Sequence, residues 1–246
     1  MHRSDFLKAL VALAAITCLA AASASAALID LTPPVGASNS IGSRTLADLQ
    51  ADPTGGIVVG DKIFTGFSYS RIGDMPAPAD VLVLGFRDPD GNWGVSLQAA
   101  FLDLPGGSNS DAVVRFMVEV NPAQAALGIK ISDAHLFVGG VGLGDESFIS
   151  VDESFTQKPN EGMNAFATTL GPGPGQQQLS DSVIFGTPVV KLNVAKDILA
   201  IASSTTNQPA RATIIDQSFS QVPEPGTLML AGLSGLAIAA ASRRRG

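Results

Sequence analysis

The chain has 246 residues and a formal net charge of −7, with 22 acidic against 15 basic side chains. An acidic balance of this kind argues against nucleic acid or an anionic lipid surface as partner, and leaves divalent cations and neutral polysaccharide open. A single cysteine and two histidines exclude a disulfide framework and a three-histidine zinc site.

Residues 1–26 read as a secretory signal peptide, a helix when inserted. Arg3 and Lys8 form the positive start, residues 9–19 the apolar stretch, and Ala22-Ser23-Ala24 and Ala24-Ser25-Ala26 the small-residue pattern. Cleavage is expected after Ala26. Cys18, the one cysteine, lies inside this segment, with Thr17 and Ala15 where a lipoprotein signal wants a small residue and a leucine. Lipidation is therefore disfavoured, and the exported body must hold without disulfides. That body, residues 27–221, is long enough to bury a core as one domain. Asp5, Glu224, Arg3, Lys8, Arg243, Arg244 and Arg245 all fall outside it, so the body keeps 20 acidic and 10 basic residues.

Residues 28–61 are rich in Gly, Ser, Thr and Asp, with one short helix expected over 43–51. Ser43 is its expected cap, and Asp52-Pro53 closes it because the residue before proline avoids helical angles. Short β-like runs follow at 57–59, 62–70, 81–86, 93–101, 113–120, 129–138, 147–155, 183–185, 189–194, 198–202 and 212–219. Turn residues separate most of them at the spacing of an all-β sandwich or barrel. In 113–120, Val114, Phe116, Val118 and Val120 fall on one face and Arg115 and Glu119 on the other, as a half-buried strand requires. In 62–70 the alternation breaks at Gly66, which predicts a bulge. Asn121 and Pro122 open one or two helical turns over 122–127. The fold class expected is all-β: one jelly-roll-like β-sandwich between two terminal helices.

Candidate chemistry is sparse. His135, the one histidine of the body, stands in a strand-like run, and the body has no Gly-x-Ser-x-Gly elbow to mark an activated serine. It reads as a strand residue with a hydrogen-bonded or exposed ring. The glycines at 139, 140, 142 and 144 have the wrong order for a dinucleotide loop and no helix after them, so a turn is expected. The Gly/Pro alternation over 171–175 reads as a loop. Asp88, Asp90 and Asn92 alternate around Gly91 as the first ligands of a calcium loop do, but no closing glutamate follows; a hairpin turn explains the same residues. Asp145, Glu146, Asp152 and Glu153 are paired carboxylates of the sort that hydrolyse glycosidic bonds when suitably spaced, with a solvated acidic edge as the plainer reading. Trp93 and Tyr69 are the body's only Trp and Tyr; Trp93 is either a sugar-stacking platform or a core residue opening a strand. No catalytic residue and no cofactor is assigned.

The end of the chain, residues 222–246, has three parts: Pro223-Glu224-Pro225, an uncharged run over 226–242, and Arg243, Arg244 and Arg245. As a helix the run would be about 25 Å long, short but sufficient for a bilayer if its ends snorkel. The arginines would stay cytoplasmic and everything before Pro223 would lie outside. This arrangement resembles the PEP-CTERM sorting signal. The resemblance implies an exported protein crossing the inner membrane, held transiently by a single-pass transmembrane helix. An exosortase then cuts it near the triplet and sorts it to the cell surface or extracellular matrix. It also implies company with exopolysaccharide and biofilm. The body adds to it: Gly60-Asp61-Lys62-Ile63-Phe64 through Phe67 and Tyr69, and Gln217-Ser218-Phe219-Ser220-Gln221 running into Val222-Pro223, resemble a recurrent body type among such proteins. A non-catalytic structural or adhesive protein is the function expected. A carbohydrate-binding module, calcium-assisted or not, and a secreted glycoside hydrolase are the alternatives.

Overall fold

The computed structural model describes residues 28–52, 55–170, 175–204 and 207–223. The segments read as signal peptide and membrane tail, with Cys18, Ala26, Glu224, Pro225 and Arg243 to Arg245, lie outside them. No helix among the described residues is long and apolar enough to cross a membrane.

Among the described residues, fifteen strands form two packed sheets. The first sheet runs β1 (Ile29–Asp30), β3 (Gly56–Val59), β4 (Lys62–Ile72), β7 (Ser110–Val120), β13 (Lys191–Ile201), β9 (Phe148–Phe155), β10 (Lys158–Thr168) and β11 (Gln176–Gln178). The second runs β12 (Ser180–Val189), β8 (Ile129–Gly139), β14 (Ala210–Phe219), β6 (Trp93–Asp103), β5 (Leu82–Arg87) and β2 (Asn39–Thr45), and β15 (Gln221–Pro223) adds to β8. From β6 onward the chain passes between the sheets so that β6-β14-β8-β12 faces β7-β13-β9-β10. That is the strand order of a jelly roll, two Greek keys folded over one core.

Alternation decides which side chains enter that core. On β7, Val114, Phe116, Val118 and Val120 are buried and Arg115 is exposed. Phe64 on β4 meets Phe116 with ring centroids 6.0 Å apart and reaches across to Phe219 on β14 at 6.2 Å. Phe155 on β9 meets Phe185 on β12 edge to face at 5.2 Å. The Phe64–Phe219 and Phe155–Phe185 pairs join the two sheets at separate points along the sandwich. The bulge falls where the alternation breaks: β4 slips register against β7 between Thr65 and Ser68, with Gly66 at φ 64°.

Three expectations change. The short helix α1 spans Leu46–Ala51 and is capped by Thr45, whose side chain and that of Asp48 form a reciprocal capping box; Ser43 belongs to β2. The runs at 189–194 and 198–202 are not two strands, since β13 is continuous from Lys191 to Ile201. β10 pairs with β9 although no strand was expected between 155 and 183; its ladder is irregular between Lys158 and Met163 and regular from Met163. The second short helix, α2 (Pro122–Ala125), has Asn121 as its cap and Pro122 in its first turn.

Candidate functional site

The outer face of the second sheet carries a trough built by register. Ser182 on β12, His135 on β8, Ser218 on β14, Gly94 on β6 and Phe86 on β5 stand opposite one another in one row. The next outward row is Ser180, Phe137, Asp216, Ser96 and Leu84. Small residues in the middle of both rows leave a hollow, and the β5–β6 turn forms its wall. The cavity is about 740 Å³ and is lined by Asp88, Asp90, His135, Phe137, Asp181 and Asp216 among others. Phe137 stands on it 45% exposed.

Most polar groups of the trough are already held in place. Asp88 accepts from the Asn92 amide at 2.8 Å, the Asn92 side chain at 2.9 Å and the Ser218 hydroxyl at 2.6 Å. Burial alone would push its carboxyl up, but the bonds from Ser218 and Asn92 outweigh it and hold the pKa below the usual range. The Asp88 N–H also donates to the Asn92 carbonyl, and Gly91 at φ 93° turns the chain. Asp88, Asp90 and Asn92 thus sit in a braced β5–β6 hairpin turn. Among the described residues no group of three or more His, Cys, Asp or Glu is arranged to hold a metal ion. Asp181 accepts from the amides of Asn164 at 2.9 Å and Ser182 at 2.8 Å. Asp216 differs: burial pushes its carboxyl up against the pull of Ser96 and Lys196, and its Oδ1 is buried without a hydrogen bond among the described residues.

His135 has an acid and a hydroxyl beside it, in an arrangement unlike a catalytic triad. Its Nε2 lies 3.1 Å from Asp133 Oδ1 and 3.2 Å from Ser220 Oγ, so both partners share one ring nitrogen. A triad needs the acid on one nitrogen and the nucleophile on the other. Here the group is a brace, since Asp133 Oδ1 also accepts from the Ser220 amide at 3.0 Å. The hydrogen bond to Asp133 raises the His135 pKa against the effect of burial, with the charges of Asp133, Asp88 and Asp90 adding to it. Trp93 is half-buried against the core, and the Arg87 guanidinium lies 5.0 Å from its ring centroid, so that face is no open sugar platform. The exposed aromatic of the trough is Phe137.

Two buried lysines were not anticipated. Lys62, 1% exposed, donates to Asp61 Oδ1 at 2.9 Å and to Gln221 Oε1 at 3.2 Å, while the Gln221 side-chain N–H donates to Asp61 Oδ2. The Gly-Asp-Lys stretch and the Gln-Ser-Phe-Ser-Gln stretch are therefore one clasp in space, tying β4 to the strand end that leads into Pro223. Lys196, fully buried, donates to Glu153 Oε2 and Gln217 Oε1 inside the sandwich. Glu153 is thus no part of a solvated acidic edge. Its neighbour Asp152 does face out, opposite Asp197 on the outer side of the first sheet. There burial and the charges of Asp111 and Asp152 raise the Asp197 pKa.

With this geometry in view, residues 221–245 match the PEP-CTERM protein-sorting motif. The chain is thus a β-sandwich followed by a stretch that matches an exosortase sorting signal. No curated protein matches the chain. Among solved structures it is similar to a carbohydrate-binding module in complex with β-1,4-galactotriose, at 12% identity and a TM-score of 0.28, covering 63% of this chain and 88% of that one. It is also similar to a mannan-recognising carbohydrate-binding module, at 11% identity and a TM-score of 0.29, covering 72% and 94%. Scores this low transfer no residue role to the chain.

Proposed function

We propose that the protein is a non-catalytic component of an extracellular polysaccharide matrix, adhesive or structural, that meets glycan through the trough on its second sheet. The observation that carries this reading is the trough itself, a hollow of sugar size on the outer face, with a row of serines and carboxylates and one exposed aromatic at Phe137. Hydroxyl-rich ligands need such acceptors with an apolar face beside them. A negative body suits neutral glycan.

Hydrolysis is disfavoured by how the carboxylates are held. Asp88 already accepts three hydrogen bonds and has little capacity left to activate a water. Asp216 keeps one oxygen buried and the other against Ser96. Glu153, on β9 of the first sheet, is inside the core.

A glycan array with the exported body, run with and without chelator, tests the binding reading. Binding insensitive to chelator is expected of the trough alone; loss on chelation assigns calcium to Asp88, Asp90 and Asn92. An array with no bound glycan in either condition refutes the proposal. The sorting reading has its own test, the intact mass of native protein with exosortase present and deleted. A species beginning near Ala27 and ending near Pro223 only when exosortase is present supports processing at the triplet. Persistence of the whole tail in both strains identifies a plain anchor.

A further inference from the structure

Lys196 and Glu153 are fully buried side chains of opposite charge inside the sandwich, unlike a surface ion pair. Lys196 points inward from β13 between the buried Val194 and Ile198. Val114 lies across the strand pair on β7, and Glu153 stands opposite on β9 between the buried Val151 and Phe155. Gln217, equally buried, comes from β14 of the other sheet. The Lys196 Nζ touches the side chains of both Glu153 and Gln217. Glu153 Oε1 makes no hydrogen bond among the described residues.

We infer that Lys196 and Gln217 become joined by an intramolecular amide cross-link, formed by the folded protein itself with Glu153 as its proton-transfer residue. Three chemical requirements meet at this point. The first is a neutral amine: burial is the largest influence on Lys196 and lowers its pKa, against the pull of Glu153 and Asp216. The second is a proton carrier, and burial raises Glu153 against the pull of Lys196, so enclosure favours the proton on the acid. The third is an acyl group in contact with the amine, which the Gln217 carboxamide supplies. Enclosure keeps water from competing.

The step balances without a co-reactant. The lone pair of Lys196 Nζ attacks Gln217 Cδ while the Glu153 proton supports the carbonyl oxygen. Glu153 then takes a proton from the attacking nitrogen and returns one to Gln217 Nε2, whose bond to Cδ breaks. Ammonia leaves with the bonding pair, and Glu153 ends as it began. The product replaces a buried amine and a buried carboxamide by one secondary amide. It ties β13 to β14, hence the first sheet to the second, in a chain whose one cysteine, Cys18, lies in the expected leader. β14 is also the strand that runs into β15 and the stretch matching the sorting motif.

High-resolution intact mass and peptide mapping of the purified protein test the inference. The expected chain is lighter than its sequence by one ammonia, resists trypsin after Lys196, and yields a branched peptide joining Lys196 to Gln217. Glu153→Gln is expected to keep the full mass. A wild-type chain of full mass, cleaved after Lys196, overturns the inference. So does loss of one water with Lys196 joined to Glu153, or a branch at Lys62 and Gln221 instead. Should Glu153→Gln fail to fold, the wild-type mass and map decide alone.

Discussion

Asp61→Ala probes the clasp between β4 and the strand end that leads into Pro223. Lys62 is 1% exposed, and its ammonium is held by Asp61 and Gln221. Burial is the largest influence on it and lowers its pKa, with Asp61 the chief opposing charge. Deleting Asp61 leaves a buried cation with one amide oxygen, and removing one partner of a buried pair costs about 3–5 kcal/mol. Asp61 itself is 14% exposed, so some water reaches the site and the lower end of that range applies. For a domain of this size each kcal/mol moves the midpoint by roughly 2–4 °C, so a fall of about 6–12 °C in thermal unfolding is expected. The sign of the pH dependence follows from linkage. A lysine whose folded pKa is depressed binds fewer protons folded than unfolded, so stability rises with pH toward the ordinary value of 10.5. The deficit of Asp61→Ala should therefore shrink at alkaline pH. Adding Lys62→Met should restore most of the lost stability at neutral pH, since the uncompensated charge is gone. A cost below about 1 kcal/mol, or no rescue by Lys62→Met, would refute the reasoning.

Other perturbations give distinct readouts. Gly60 has φ 59°, and a Cβ there would lie 2.4 Å from the Trp93 ring, so Gly60→Ala should cost more than the ~1–2 kcal/mol of the left-handed backbone alone; equilibrium denaturation measures it, and a neutral change would place Trp93 elsewhere. The brace at His135 has a raised pKa, so its stabilisation is complete below the unfolded value of about 6.5 and fades as pH rises through the folded one. The stability gap between wild type and His135→Gln should accordingly be larger at pH 5 than at pH 9 (about the acid and alkaline limits of that titration); a constant gap contradicts the brace. Phe137→Ala should weaken glycan binding about tenfold, an aromatic contact of roughly 1.4 kcal/mol, with the unfolding midpoint unchanged; titration calorimetry checks the first and scanning calorimetry the second.

Much of the scaffold was legible because alternation and turn chemistry are local. Val114, Phe116, Val118 and Val120 marked one inward face, Gly66 the bulge, and Asn121-Pro122 the short helix, and each is where the structure has it. The start of α1 was misplaced because both Ser43 and Thr45 are good caps; the reciprocal bond between Thr45 and Asp48 decides for Thr45. β10 was missed because Lys158-Pro159-Asn160-Glu161-Gly162 has turn composition, while its ladder is regular only from Met163. The trough could not be read in advance, since Ser182, His135, Ser218 and Gly94 become neighbours only through pairing of four strands distant in sequence. The buried polar clusters did leave a signal. Glu153 follows Ile149 and Val151 on the inward parity of β9, and Lys196 stands between Val194 and Ile198 on that of β13. A charge on an apolar parity is either a register break or a buried group with partners, and here it is the second.

The trough is the centre of the functional account, and blocking it is the direct test. Ser182 is exposed on the trough wall and faces away from the core, so Ser182→Trp should fill the hollow without disturbing the fold. Binding of matrix polysaccharide by wild type and by Ser182→Trp, measured side by side at equal thermal stability, is the measurement. The account predicts that wild type binds and the filled variant does not. Equal binding by both, or none by wild type, would contradict it.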